Sequence, residues 1–186
     1  MVSTLTFSSD GKMLVSSGDD RKLKVWDPVA GKEMKTIPGP TEKVAAVQFT
    51  PGDKNIMVWV AGGVVETFDV AAGNLVNTFK SDLDATVLAF SNDGQLVSMA
   101  DKDGHVKFWS LNKGELLGEL PVLPKKESVG DMAFSVDKKS LITGEVTGEI
   151  QIWDLAKRAA PTQKIKAHAK RINCIVMSLD GSRFAS

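Results

Sequence analysis

Apolar residues fall along this chain in short runs separated by turn-forming residues. Val2 to Phe7 alternates, Lys12 to Ser17 and Leu23 to Trp26 follow, and Glu33 to Ile37 closes the first set. Between them stand Ser8-Ser9-Asp10-Gly11, Asp19-Asp20 and Asp27-Pro28-Val29-Ala30-Gly31, residue types that favour tight turns. A short-run pattern bounded in this way predicts β-strands. No segment carries a helical period of useful length, and the links are too short for the helical crossovers that parallel strands need. The pattern predicts an all-β, antiparallel architecture.

The set then repeats. Leu5-Thr6-Phe7-Ser8-Ser9-Asp10-Gly11 lines up with Val47-Gln48-Phe49-Thr50-Pro51-Gly52-Asp53, with Leu88-Ala89-Phe90-Ser91-Asn92-Asp93-Gly94 and with Met132-Ala133-Phe134-Ser135-Val136-Asp137-Lys138. Phe7, Phe49, Phe90 and Phe134 are spaced 42, 41 and 44 residues apart, and Met177 comes 43 later. Trp26-Asp27, Phe68-Asp69, Trp109-Ser110 and Trp153-Asp154 keep the same spacing. Two independent landmarks in one register define a repeating unit of four strands. Its copies cover about 2–38, 44–80, 85–121 and 129–166, with a partial copy over 172–186. Gly31 recurs as Gly73 and Gly114, as a turn with positive φ requires, and Arg158 takes that place in the fourth copy.

Four strands per period, with an aromatic-Asp pair ending the third, resembles the WD-repeat (G-protein beta-like) β-propeller family over essentially the whole chain. The resemblance implies blades of four antiparallel strands in an incomplete ring, here four blades plus two strands of a fifth. Repeats of this family join a Gly-His pair, a turn Asp, a Ser or Thr and the Trp in one buried hydrogen-bond network. The turn Asp is present as Asp20 and Asp103 but replaced by Gly62 and Thr147, and only His168 supplies the histidine. No complete network is expected, and blades two and four should be the less regular ones, with Trp59 where blade one has Ser17. The family binds through loops ahead of the first strand and between the second and third. Carried over by position, those loops place Lys43, Asp84, Ser128 and Arg171 ahead of first strands, with Asp19, Lys102 and Val146 in the second turn. Trp26, Phe68, Trp109 and Trp153 read as blade-packing residues because they follow the repeat.

Composition then narrows the function. Hydrophobic residues make up 42% and charged residues 25%, as in ordinary globular proteins. Lys plus Arg and Asp plus Glu are 23 each, so no net field draws the chain to nucleic acid or to an anionic membrane. One segment departs from that balance: Lys157 to Arg171 holds Lys157, Arg158, Lys164, Lys166, Lys170 and Arg171 and no acidic residue. It reads as a solvated loop and outer strand, or as a site for an acidic partner.

A lone cysteine, Cys174, cannot form an intramolecular disulfide, and with two histidines it cannot furnish a structural zinc site. It is expected as an inert core thiol on an inner strand, Asn173 to Met177, which with the strand Arg183 to Ser186 would be left without neighbours in an open arc. Met1 to Phe7 lacks the order of a signal peptide, and Ile56 to Val65 is too short to span a bilayer, so a cytoplasmic setting is expected. Asp101-Lys102-Asp103-Gly104 opens like a calcium loop, but Asn112 stands where the bidentate glutamate is due. Asp10-Gly11 and Asp93-Gly94 recur with the blades, as hairpins do and phosphate loops do not. His105, at the start of a third strand, is expected to be exposed or satisfied by its turn.

No nucleophile, base and acid converge, and no cofactor or metal set is present, so the reading is a non-enzymatic scaffold or adaptor for a protein or peptide partner. Neither nucleic acid nor membrane is expected as a partner. Two rivals stand beside this reading. One is a regulatory or sensing propeller from a larger multidomain enzyme; the other is a self-assembling or engineered propeller fragment that completes its ring as a homo-oligomer.

Overall fold

A computed structural model of the chain describes residues 1–60, 62–123, 128–178 and 180–186. All regular secondary structure among them is β-strand. The chain divides into two compact units, Met1–Asp84 and Ala85–Ser186.

In the first unit, β1 (Val2–Phe7), β2 (Leu14–Gly18), β3 (Lys22–Asp27) and β4 (Lys32–Pro38) form one sheet. β5 (Val44–Phe49), β6 (Asn55–Val60), β7 (Val64–Asp69) and β8 (Leu75–Lys80) form the next. Within each sheet, consecutive strands pair antiparallel. Val15, Leu23, Val25 and Ile37 of the first blade share one buried cluster with Val47, Phe49, Ile56, Val58 and Phe68 of the second. At about 1.5–3 kcal/mol for each fully buried aliphatic or Phe side chain, this cluster is the main stabilising term of the unit.

The second unit repeats the plan. β9 (Ala85–Phe90), β10 (Leu96–Asp101), β11 (Val106–Ser110) and β12 (Glu115–Glu119) make blade three. Blade four is β13 (Val129–Phe134), β14 (Ser140–Glu145), β15 (Glu149–Asp154) and β16 (Gln163–Lys166). Ala89, Ala100, Val106 and Phe108 of blade three cluster with Met132, Phe134, Leu141 and Trp153 of blade four. A separate cluster joins Ile142 and Ile150 to Ile172 and Ile175. The last sheet has two strands, β17 (Val176–Met177) and β18 (Phe184–Ala185).

The Ser-x-Asp-Gly motif acts as hairpin chemistry. Ser8, Ser91, Ser135 and Ser178 donate their hydroxyls to Asp10, Asp93, Asp137 and Asp180 at 2.8, 2.6, 2.7 and 2.6 Å. Each carboxylate also accepts the backbone N–H two residues on. The next position is left-handed in every copy: Gly11, Gly94 and Gly181 at φ 70, 63 and 71°, and Asp53 and Lys138 at φ 55 and 60°. The turn after the third strand behaves alike, with Arg158 at φ 54° where Gly31, Gly73 and Gly114 stand at 64, 76 and 67°.

The fifth repeat departs from the expectation. Its strands are limited to Val176–Met177 and Phe184–Ala185 rather than running from Asn173 and Arg183. Ile172 and Ile175, three residues apart, both turn inward onto blade four, so the segment lacks the period of two that a strand needs. That leaves Cys174 exposed, not in the core.

Candidate protein-interaction loops

The residues that mark the repeat hold each blade to its own loops. Trp26 donates its Nε1–H to Ser16 Oγ at 2.9 Å, and Trp153 donates to Thr143 Oγ1 at 3.2 Å. The acidic residue after the aromatic closes the next turn. Asp27 Oδ1 accepts the amides of Val29 and Ala30, Asp69 that of Ala72, and Asp154 those of Ala156 and Lys157. These bonds, led by the Ala156 amide, hold the Asp154 carboxyl below its usual range. Phe68 and Trp109 are each 4% exposed and serve packing.

Of the two turn aspartates, Asp20 accepts the Lys22 amide at 3.4 Å. In blade three, Asp101 organises the turn. Its Oδ1 accepts the amides of Asp103 and His105 at 2.9 and 3.0 Å, and its Oδ2 meets His105 Nδ1 at 2.8 Å. Burial pushes the Asp101 carboxyl up, and the His105 amide and ring together bring it below its ordinary value. His105 is thus satisfied by its turn. His168 Nε2 meets Ser186 Oγ at 2.7 Å, and Ser186 stands in register with Ser16, the partner of Trp26.

In the first unit, Asp19, Lys43 and Asp84 are all exposed. Asp19 begins the turn between β2 and β3, and its amide donates to Met1 O at 3.0 Å. Its carboxylate meets the Met1 amine at 3.0 Å; that contact, with a smaller contribution from Lys43, lowers its pKa. The structure therefore brings Asp19 and Lys43 into one electrostatic neighbourhood. Asp84 lies immediately ahead of β9.

In the second unit, Val146 N donates to Ser128 O at 3.0 Å, the same bond three periods on, and Ile172 N donates to Glu145 O at 3.1 Å. Ser128, Val146 and the exposed Arg171 are thereby fastened at one end of blade four. Lys102 is exposed in the β10–β11 turn. The register slips in each first strand at this end, between Val2 and Thr4, between Val44 and Ala46, opposite Ala100 and Asp101, and between Val129 and Asp131. Bulges of this kind re-aim the side chains beside them.

Several supporting residues escape a reading of the sequence. Glu145 is fully buried and accepts the Thr143 hydroxyl at 2.8 Å, extending the Trp153 bond into a three-residue chain. Its signal is a carboxylate ending an otherwise uncharged strand, at the position of Gly18 in blade one. Asp131 accepts the Ile175 amide at 2.6 Å, and burial raises its carboxyl above the usual value despite that bond. Among the described residues, no group of three or more His, Cys, Asp or Glu side chains could hold a metal ion. No helix there is long and apolar enough to cross a membrane.

Tandem four-stranded antiparallel blades, tied internally by an aromatic N–H and an acidic turn, define a blade-repeat protein that displays loops from a rigid frame. The chain belongs to the WD-repeat family: the family model described as WD domain, G-beta repeat matches residues 1–27 and 73–110. It is similar to COMPASS component SWD3 of Saccharomyces cerevisiae, 26% identical over 82% of this chain and 54% of that protein. It is also similar to the Target of rapamycin complex subunit wat1 of Schizosaccharomyces pombe, 24% identical over 91% of this chain and 54% of that protein. Apoptotic protease-activating factor 1 of Rattus norvegicus is 31% identical over 82% of this chain and 12% of its own length. The chain thus spans about half or less of the length of these curated relatives.

Proposed function

We propose that this chain is a protein-interaction scaffold that acts by binding rather than by catalysis. The observation that carries the reading is the repeated backbone bond from the second turn to the residue ahead of the first strand, Asp19 to Met1 and Val146 to Ser128. It fixes the loop backbone of blades one and four beside the exposed Asp19 and Arg171, and Lys43 and Lys102 are exposed at the corresponding loops of blades two and three. Function concentrates on loops held by such a frame. Mixed charges at these positions suit a polar protein or peptide surface better than a uniformly charged polymer. The names of two relatives, a component of COMPASS and a subunit of a target of rapamycin complex, describe members of assemblies. A cytoplasmic or nuclear assembly is the corresponding setting.

The test places a photo-crosslinking residue at Lys43 or Arg171 and, as controls, at Lys12 or Lys139 in the opposite hairpins. Adducts to a partner protein at the first pair alone support the assignment. Adducts only at the second pair contradict it.

A second reading, pairing of two copies, is favoured by one face of blade one. Leu5 and Phe7 are 58% and 57% exposed, whereas Val47 and Phe49 at the same positions in blade two are 7% and 6% exposed, covered by aliphatic residues of blade one. Two copies that pack their Leu5 and Phe7 faces against each other bury both of them. Light scattering that gives a dimer mass, lost in Phe7→Asp, supports this pairing; a monomer at every concentration contradicts it.

A further inference from the structure

Apart from Arg171, the basic run from Lys157 to Arg171 is not used by the loop reading, and the structure gives it a definite shape. Its centre is β16, the outermost strand of blade four, with all four residues exposed. β16 pairs with β15 in the register Glu149↔Lys166, Ile150↔Ile165, Gln151↔Lys164 and Ile152↔Gln163. Ala167 N donates to Gly148 O at 3.2 Å. Antiparallel pairs alternate between bonded and non-bonded, so from that pair Ile165 and Gln163 turn their backbone groups toward β15. The N–H and C=O of Lys164 and Lys166 then face outward along the open edge. Such an edge is a template for another extended chain.

Charge separates this edge from the other three outer strands. β4 carries Lys32 and Lys35 but also an acid, Glu33, which is bonded to Lys24 at 2.7 Å, and β12 begins and ends with Glu115 and Glu119. β8 has Lys80 alone. β16 carries two lysines and no acid. The Lys164 ammonium lies 3.6 Å from Glu149, and that of Lys166 donates to Thr147 O at 2.7 Å. An ammonium has three donors, so both keep capacity for a further carboxylate. Lys164 and Lys166 lie on one face of the strand and Ile165, 37% exposed, on the other.

We propose that the outer edge of blade four takes an extended acidic peptide as a fifth strand, its residues alternating between acidic and apolar. The acidic side chains sit beside Lys164 and Lys166, and the apolar ones beside Ile165. The outward amide and carbonyl groups supply main-chain bonds that fix the peptide's extended form. A nucleic acid offers the charge but no partner for that ladder.

The test mixes the full 186-residue chain with a dye-labelled, capped peptide of alternating glutamate and valine, and reads anisotropy and amide hydrogen exchange. The expected result is saturable binding, weakened tenfold or more by the Lys164→Glu/Lys166→Glu double variant. Lys164→Pro, which removes an outward N–H together with the ammonium, weakens it more than Lys164→Gln, which removes the ammonium alone, with all of these variants retaining the parent melting temperature. In the unmutated chain, the amides of Lys164 and Lys166 gain protection on binding while those of Gln163 and Ile165 do not change. Absence of binding overturns the proposal. So does equal binding by a scrambled peptide without alternation, or by a DNA oligomer of the same charge, or binding that leaves the Lys164 and Lys166 amides unprotected.

Discussion

Asp53, Lys138 and Arg158 hold left-handed backbone where other blades use glycine, and each side chain reaches the preceding blade of its own unit. Asp53 accepts the Ser9 amide and hydroxyl; Lys138 pairs with Asp93; Arg158 donates to Leu117 O at 2.9 Å and lies 5.7 Å from the Phe108 ring centre. A non-glycine residue in this conformation costs about 1–2 kcal/mol, which the bridge offsets. Lys138→Ala keeps the strain and loses the bridge, so it is expected to destabilise by about 1 kcal/mol, whereas Lys138→Gly should stay within about 0.5 kcal/mol of the parent in denaturant melts. Burial decides a second comparison. Thr143→Val leaves the Trp153 N–H and a Glu145 oxygen without their hydroxyl in a site closed to water, and should cost about 2–4 kcal/mol. Ser16→Ala, at the partly exposed Trp26 bond, should cost about 1 kcal/mol. The Ser-x-Asp-Gly turns were legible in the sequence because the serine–aspartate and aspartate–amide bonds that close them each span two residues. Glu145 was not, since its role depends on what packs over the strand.

At the scale of elements, the segment after β16 lies against blade four over glycines that leave it room. A Cβ at Gly144 would stand 2.6 Å from Ile172 Cγ2 and 2.8 Å from Ile175 Cδ1, and one at Gly130 would collide with the Ile172 carbonyl. Gly144→Ala is expected to cost about 1–3 kcal/mol and to expose the Ile172 and Ile175 amides to exchange while β14 and β15 stay protected. The hairpin carboxylates set the acid limit. Serine hydroxyls and backbone amides hold Asp10, Asp137 and Asp180 below the usual 3.8, Asp180 down to about 2. Their folded forms favour the charged state, so the stability they add is complete above pH 3.8 and is lost as pH falls toward 2. Asp131 has the opposite sign: burial raises it, so its ionised form opposes folding above 3.8. Asp131→Asn keeps an acceptor for Ile175 and should raise the melting temperature at pH 7, with the gain shrinking in acid. The strands of blades one to four were legible from alternation. Those of the fifth repeat were not, because Ile172 and Ile175 follow the surface they cover rather than a strand period.

For the molecule as a whole, the repeat carried most of the information, because one supersecondary unit written four times is legible even where single copies are degenerate. The expected hydrogen-bond network survives in pieces, with Ser16 for Trp26, Thr143 and Glu145 for Trp153, and Ser186 for His168. The candidate loop residues were placed by register alone; that Val146 is fastened to Ser128, and that Asp19 shares a field with Lys43, needed the fold. The account's central claim is that these loops bind protein. Its most direct test is quantitative affinity capture with the unmutated chain, with Lys43→Glu, with Arg171→Glu and with Lys12→Ala as a control in an opposite hairpin. The account predicts that proteins recovered with the unmutated chain and with Lys12→Ala are depleted at least fivefold with Lys43→Glu or Arg171→Glu. Equal recovery with all four proteins would contradict it.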